Sequence, residues 1–208
     1  MTRSLRLGVT GNIACGKSTV MAMLTVLGVG TIDADAVYHE LIVPQAPLWL
    51  VLRDRFGPGI VAPDGTIDRR ALGGIVFADS AAMADLDALT HPPVIAEIER
   101  RAALLPQPVV AVDAVKLIES GHADGYDAVW LVTCDPAQQI ARLMARNGLD
   151  RADAARRVGS QPPSGPKLAR ADQVIDNSGD LAATRDQVER AWRVLCDLVR
   201  RPISKSTS

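Results

Sequence analysis

Aromatic residues are scarce in this sequence and make up only 3% of its 208 residues. Hydrophobic residues nevertheless reach 48%, so we expect a core of Ala, Val, Leu and Ile that suffices for one compact domain or a core with insertions. Cysteine is rare as well. Cys15, Cys134 and Cys196 are too few and too widely spaced for a disulfide framework or a CxxC metal site. This usage predicts reduced thiols in a cytoplasmic protein.

The sequence also lacks an excess of charge of either sign. Its formal net charge is -1, which argues against a global basic field of the kind that attracts nucleic acid. No uninterrupted apolar stretch is long enough to cross a bilayer, and the opening MTRSLRLGVTG does not look like a signal peptide. We therefore expect small-molecule partners, no nucleic acid and no membrane, in a monomer or a weak homo-oligomer.

Short apolar, β-branched runs alternate with helical patterns along the chain. This alternation predicts a parallel sheet with helices on both faces, a three-layer α/β/α fold. A helix is predicted over residues 17–28. The five predicted strands are residues 5–10, 29–33, 108–114, 128–134 and 173–177.

Two segments depart from this alternation. Residues 35–106 contain no convincing strand, and we expect a helical insertion in which Pro92 and Pro93 mark a break or a new helix start. Residues 142–167 are rich in Arg and Ala and end in PPSGP, which suits a mobile helical excursion. Residues 202–208 are expected to be a disordered tail. The core is then formed by residues 1–34, 107–141 and 168–201.

The sequence GNIACGKS, residues 11–18, matches the P-loop pattern G-x-x-x-x-G-K-[ST] between a predicted strand and a predicted helix. Glycines let backbone N–H groups point at phosphate oxygens, and the following helix offers its N-terminus. Lys17 is expected to reach the β- and γ-phosphates of ATP, and Ser18 to bind Mg²⁺ together with phosphates and waters. The predicted ATP-binding residues of this segment are Gly11, Asn12, Ile13, Ala14, Cys15, Gly16, Lys17, Ser18 and Thr19.

Other features favour phosphoryl transfer over hydrolysis. The guanine-specific motif N-K-x-D of GTPases is absent, and no Glu follows Asp113, at the end of the third strand, to activate water. Asp33 and Asp35 come at the carboxyl end of the second strand, where ligands bind in open α/β sheets. We expect Asp33 to accept a proton from an acceptor hydroxyl rather than merely to cap the next helix. For Asp35 we expect helix capping or binding of Mg²⁺-bound water.

With these motifs in order, the sequence resembles the dephospho-CoA kinase family over residues 5 to about 199. The stretches that carry the resemblance are GVTGNIACGKSTV, LGVGTIDADAVYHEL, DGTIDRRALGGIVFAD, LTHPPV, RLMARNGL, RVGSQ and KLARADQVIDNSG. It implies transfer of phosphate from ATP to the ribose 3′-hydroxyl of dephospho-CoA, with Asp33 as the base. It also implies that residues 35–106 hold the acceptor and that residues 142–167 form a small helical lid over ATP.

The resemblance assigns further residues, each with a structural alternative. Arg146 and Arg157 would face the ATP phosphates from the lid, and Arg146 alternatively stabilises a helix C-terminus. Asn177 would reach the adenine edge or would be an ordinary turn residue. Arg70, His91 and Asp113 would contribute to acceptor binding, together with Asp33 and Asp35. A solvated helix face is the alternative for Arg70, and a structural histidine is the alternative for His91. Lys167 matches the family's lid lysine, but a solvated lysine is the default expectation.

The sequence departs from the family in two places. Asn12 stands where the family often has a glycine, and we expect the tolerance of Asn for left-handed backbone to preserve the loop. DAVKLIE, residues 113–119, replaces the family's usual Asp, one residue, then PLLFE.

Cys15 lies near Lys17 and a helix N-terminus. This position predicts a lowered thiol pKa and an oxidisable side chain that ATP shields. The alternative is a small residue that fills space.

Two other functions remain as alternatives to dephospho-CoA phosphorylation. One is a nucleoside or nucleotide kinase, and the other is a P-loop regulatory ATPase.

Overall fold

The computed structural model describes residues 4–200, with side chains described up to Asp197. The tail predicted at residues 202–208 lies outside the described residues. The strands are β1 Leu5–Gly11, β2 Gly30–Asp33, β3 Val109–Asp113, β4 Ala128–Thr133 and β5 Gln173–Asp176. The helices are α1 Lys17–Val26, α2 Ala34–Leu41, α3 Pro47–Phe56, α4 Arg69–Val76, α5 Ser80–Leu104, α6 Pro136–Asn147, α7 Arg151–Gly159, α8 Gly165–Arg170 and α9 Leu181–Arg200.

The five strands form one sheet in the order β2-β3-β1-β4-β5. The pairs β1–β3, β1–β4 and β4–β5 are parallel, and each strand end differs from its predicted position by at most one residue. Residues 6–11 of β1 are all buried, including the polar Arg6 and Thr10, as expected of a central strand that is covered on both faces. The predicted α/β/α class with a five-stranded parallel sheet is confirmed.

The chain divides into two compact units. One consists of the described residues up to Thr31 and from Pro106 onward, and the other is Ile32–Leu105. In the first unit, α1 and α9 pack on one sheet face through Leu24 and Val188, against Leu7 and Trp130. Across residues 4–200, no helix is long and apolar enough to cross a membrane.

The unit Ile32–Leu105 has a hydrophobic core of its own. Trp49, Leu52, Ile60 and Leu72 are central to it, and the Trp49 indole N–H donates a hydrogen bond to the Gly65 carbonyl over 2.9 Å. Helices α2, α3 and α4 each pack against α5. Between α3 and α4 the backbone makes an isolated antiparallel bridge, Val61 to Ile67.

Helix α5 contradicts the predicted break at Pro92 and Pro93, because it continues through both prolines from Ser80 to Leu104. Neither proline can donate a backbone hydrogen bond within the helix, a defect that ordinarily ends or kinks it. Buried residues on both sides of the prolines, such as Ala82 and Ile98, pack the two halves of α5 into the same unit. Tertiary packing therefore overrides the local signal.

Aspartates start most of the helices in the described chain. In α2, α4, α5, α6 and α7 an aspartate side chain at the N-cap accepts a hydrogen bond from a first-turn amide; these residues are Asp33, Asp68, Asp79, Asp135 and Asp150. Helix α1 differs, because its N-cap is Gly16 and no side chain caps it. The Thr19 amide donates to the Gly16 carbonyl over 3.0 Å, but no side-chain oxygen occupies the N-terminus of α1, where a ligand or water can bind.

The segment predicted as a lid, residues 142–167, spans parts of three helices. Helix α6 begins at Pro136, so residue 142 falls inside it, and residue 167 falls inside α8. Helix α7, Arg151–Gly159, lies wholly within the segment. If the predicted lid moves as whole helices, its first and last residues are therefore not 142 and 167.

We expect an ion-pair cluster to contribute to the pH dependence of stability. Hydrogen bonds from Arg100 and Arg101 lower the pKa of Glu97 to about 2, from an ordinary 4.5. A depressed carboxyl pKa stabilises the fold above pH 4.5, and this contribution is lost as the pH falls toward 2. Glu97→Gln should therefore lower the melting temperature at pH 7 and lose this difference from wild type near pH 2. The control is Glu189→Gln, whose partner Arg193 is 3.5 Å away. Equal melting temperatures at pH 7 would contradict the expectation.

Candidate functional site

The loop of residues 11–16 joins the central strand β1 to helix α1. It demands glycine at both ends. A Cβ atom at Gly11 would lie 2.4 Å from the Val132 carbonyl oxygen, and one at Gly16 would lie 1.9 Å from the Asn177 amide nitrogen. Gly16 also has a left-handed φ of 92°. The two glycine positions of the P-loop pattern are therefore explained by close packing and backbone geometry.

The carbonyl groups of the loop are bonded to side chains from later in the chain. Gln139 donates to the Ile13 oxygen over 2.9 Å, and Asn177 donates to the Cys15 oxygen over 2.9 Å. Arg142 Nη1 lies 3.3 Å from the Ala14 oxygen and 3.2 Å from the Cys15 oxygen. Because C=O and the following N–H point in opposite directions across a trans peptide, the Gly16 amide faces away from Asn177 and Arg142. This arrangement suits a phosphate cradle.

The loop lines a cavity of about 800 Å³ within the unit that contains the sheet. A volume of this size accommodates a nucleotide. Lys17 and Asp113 both line it, with Lys17 Nζ 3.8 Å from Asp113 Oδ1. The lining residues are Asn12, Ala14, Cys15, Gly16, Lys17, Ser18, Thr19, Asp113, Arg142, Ala145, Arg146, Asn177, Gly179, Asp180 and Leu181.

Of the two arginines predicted to face ATP from the lid, one lines the cavity and the other does not. Arg146 is exposed, lines the cavity and donates to Asn147 Oδ1 over 3.1 Å. Arg157 lies on α7 and is exposed, but it does not line the cavity. Arg142, half-buried, donates to the loop carbonyls and also to the Asn177 carbonyl over 2.9 Å. Its role in the described structure is to hold the loop in place.

Asn177, predicted to reach the adenine edge or to be a turn residue, lines the cavity and is also bonded to the phosphate loop. It is 3% exposed. Its amide nitrogen donates to the Cys15 carbonyl, and its Oδ1 accepts a hydrogen bond from Thr184 over 2.9 Å. These contacts engage one donor and the acceptor of the amide, so Asn177 supports the phosphate loop.

Sequence reasoning missed Gln139 and Thr184. Both are buried polar residues. A polar residue on the buried face of amphipathic α6 is the signal that could have identified Gln139, because a buried amide requires hydrogen-bond partners.

The explanation expected for Asn12 is wrong. The non-glycine residue with left-handed backbone in this loop is Ala14, with a φ of 57°. The Asn12 side chain instead accepts a hydrogen bond from Lys167 Nζ over 2.8 Å. The default expectation for Lys167 is also wrong, because the residue is 2% exposed and its Nζ lies 2.9 Å from Glu119 Oε1.

Four predicted acceptor residues belong to the unit Ile32–Leu105. Asp33 caps α2, with its Oδ1 accepting from the Ala36 amide over 3.0 Å, whereas Asp35 lies in the first turn and is not the cap. This corrects the expected capping by Asp35. Arg70 is exposed in the first turn of α4. His91 Nε2 lies 3.5 Å from Asp87 Oδ1 on α5.

The expectation of a lowered Cys15 pKa is wrong. Cys15 is 1% exposed, and its side chain belongs to the hydrophobic core beneath the loop. Burial raises the pKa of the thiol, and the nearby charge of Lys17 opposes this effect without overcoming it. The structure therefore favours the alternative, a small residue that fills space.

Known proteins resemble this chain along most of its length. The dephospho-CoA kinase family model matches residues 5–183. A dephospho-CoA kinase of Symbiobacterium thermophilum is 47% identical over 193 residues, covering 91% of this chain and 81% of that relative. A solved Thermus thermophilus structure is similar with a TM-score of 0.81 and 31% identity, covering 95% of this chain and 99% of that one. The dephospho-CoA kinase structure from Campylobacter jejuni has a TM-score of 0.64 and 27% identity, with 92% and 97% covered.

The burial of Cys15 predicts a slow reaction with thiol reagents. In the native protein, iodoacetamide at pH 8 should modify Cys15 more slowly than the partly exposed Cys134 and Cys196, because the Cys15 thiol is buried and the reagent does not reach it. Peptide mapping by mass spectrometry after timed quenching measures the three rates. Protein unfolded in guanidinium is the control, in which the three rates should converge. Fastest labelling at Cys15 in the native protein would contradict this expectation.

Proposed function

Since this chain belongs to the dephospho-CoA kinase family, we propose that it transfers the γ-phosphoryl group of ATP to the ribose 3′-hydroxyl of dephospho-CoA, giving CoA and ADP. One observation supports the transfer chemistry. The carbonyl groups of the phosphate loop are bonded to side chains behind the loop, so that the Gly16 amide faces the other way, and the loop lines a cavity large enough for a nucleotide. The family match over residues 5–183 supports the acceptor. The proposal places the enzyme in the cytoplasm, acting on small molecules as a monomer or a weak homo-oligomer.

In this proposal, the phosphates of ATP bind at the N-terminus of α1. The Gly16 amide and the N-terminus of α1, which no side chain caps, donate hydrogen bonds, and the α1 dipole favours the negative charge. Lys17 places its ammonium group against the β- and γ-phosphates. It is 13% exposed, so solvent screens its charge less than that of a surface lysine. Asp113 keeps this ammonium group near the cavity before ATP binds.

The same cavity carries oxygen donors suited to Mg²⁺. Ser18 has an exposed hydroxyl, and Asp113 has a partly exposed carboxylate. In the described part of the chain, no group of three or more His, Cys, Asp or Glu residues could hold a metal ion alone. That finding suits Mg²⁺, which takes few protein ligands and keeps phosphates and waters. We propose that Ser18 holds the ion directly and Asp113 through water, where it would neutralise charge on the β- and γ-phosphates.

Asp33 acts as the general base in this proposal. It is the last residue of β2, and in open α/β sheets ligands bind beyond the carboxyl ends of the strands. Its Oδ1 caps α2, which orients the carboxylate and leaves Oδ2 to accept the proton of the 3′-hydroxyl. The hydroxyl oxygen then bonds to the γ-phosphorus, and the bond from that phosphorus to the bridging oxygen breaks to release ADP.

The remaining candidate residues bind the acceptor or stabilise the negative charge of the transferring phosphoryl group. Arg146, at the cavity, and Arg157, on α7, contribute positive charge to the transferring phosphoryl group as parts of a lid that excludes water. Arg70 binds the pyrophosphate of dephospho-CoA, and Asp35 and His91 contact other polar groups of the acceptor. The helical unit Ile32–Leu105 thus serves as the acceptor domain.

The rate of ADP release with different acceptors distinguishes this function from its alternatives. With ATP and Mg²⁺, we expect rapid ADP release with dephospho-CoA and at least 100-fold slower release with AMP, CMP or water, because binding of the correct acceptor is needed to position the hydroxyl. A coupled ADP-release assay measures all four. Preferred turnover of a mononucleotide would identify a nucleotide kinase, and acceptor-independent release would identify a regulatory ATPase.

The role of Asp33 predicts a specific kinetic defect. Asp33→Asn should lower kcat about 10²- to 10⁴-fold, the usual contribution of a general base, while the Kd for MgATP changes little. Asparagine caps helices as well as aspartate does, so α2 should be retained. Steady-state kinetics and calorimetric ATP binding measure the two effects. Asp79→Asn, at the N-cap of α5, is the matched control and should keep near-normal kcat. Near-normal kcat in Asp33→Asn would remove Asp33 from this role.

A further inference from the structure

A charged lysine is buried next to the phosphate loop. Lys167, on α8, is 2% exposed, and its ammonium nitrogen lies 2.8 Å from Asn12 Oδ1 and 2.9 Å from Glu119 Oε1. An ammonium group is costly to bury unless it is paired and hydrogen-bonded. These two contacts offset the free energy of desolvating the ammonium group, and they join three segments that are far apart in the sequence.

Each partner of Lys167 belongs to a segment next to the cavity. Asn12 is the first loop residue after β1 and lines the cavity itself. Glu119 belongs to the turn that follows β3, the strand that ends at Asp113. The segment of residues 161–167 contacts the loop a second time, because the Ile13 amide donates to Gln161 Oε1 over 3.3 Å. The start of the phosphate loop is thus held by one side chain in the first turn of α8, Lys167, and by one from the segment before this helix, Gln161.

We propose that Lys167 is a positioning residue for the ATP site, and that Asn12 is the side chain through which it acts on the loop. The Lys167–Glu119 pair provides a fixed point, and the hydrogen bond from Nζ holds Asn12 on it. This contact restrains the backbone of residues 12–13, while Arg142 and Asn177 restrain residues 14–15. A loop already held in its binding conformation loses less conformational entropy when ATP arrives.

Asn12 acquires a function through this contact. A glycine there would have no side chain to bond to Lys167, and it would make the loop more flexible before ligand binding. The contact also limits which part of the chain can move. Because Lys167 is buried against the loop, α8 remains with the loop, and any closing element ends before Gly165, where α8 begins.

A double-mutant cycle on ATP affinity tests this inference. It rests on the proposed function only in taking ATP as the ligand, and it needs no acceptor. We expect the Kd for MgATP to rise about tenfold in Lys167→Met, since a hydrogen bond to a charged group is lost, and about threefold or more in Asn12→Ala, which removes the same contact without the added backbone freedom of glycine. The double variant should bind no more weakly than Lys167→Met, because both changes remove one contact. Calorimetric titration of the full chain, below the melting temperature of every variant, gives the four constants.

Arg170→Met is the matched control on the same helix. Arg170 pairs at the surface with Asp124 over 2.6 Å, so its loss should leave ATP affinity unchanged and should combine additively with Asn12→Ala. Additive effects of Asn12→Ala and Lys167→Met would overturn the inference, as would a Lys167→Met variant with a lower melting temperature and unchanged ATP affinity. If Lys167→Met does not fold, Asn12→Ala decides alone, because it keeps the Lys167–Glu119 pair; unchanged affinity in that variant overturns the inference.

Discussion

The nucleotide cavity depends on one backbone constraint, the close approach of residues 11–16 to the side chains behind them. Gly16 contacts Asn177 so closely that a single methyl group would collide with it, and Gly11 meets the Val132 carbonyl in the same way. This packing keeps the loop carbonyls bonded on one side and leaves the N-terminus of α1 uncapped. Catalysis of phosphoryl transfer depends more on positioning and charge stabilisation than on covalent chemistry. A loop that is held in one conformation therefore suits this reaction.

Buried and half-buried polar groups maintain the constraint, because a polar group that is removed from water must find a hydrogen-bond partner. Arg142, Lys167 and Asn177 all find theirs in the loop, across 128, 155 and 162 residues of sequence. The loop conformation therefore depends on contacts made by α6, α8 and the end of β5. A change that leaves the P-loop sequence intact can still alter phosphate binding by removing one of these partners.

The candidate residues are divided between two packed units. Lys17, Ser18 and Asp113 line a cavity in the unit that contains the sheet, whereas Asp33 and Arg70 belong to Ile32–Leu105, which has a separate core around Trp49 and Leu52. This division suits a kinase with two different substrates.

By itself, the sequence determined the parallel sheet, its strand limits within one residue, the phosphate loop and the family, because buried strands and the P-loop are local patterns. Only the tertiary structure decided that α5 continues through Pro92 and Pro93, that Cys15 has a raised pKa, and that Lys167 is buried against Asn12. Those outcomes depend on contacts between distant segments. Packing, desolvation and hydrogen-bond satisfaction are set by neighbours in space, and a local pattern does not identify them.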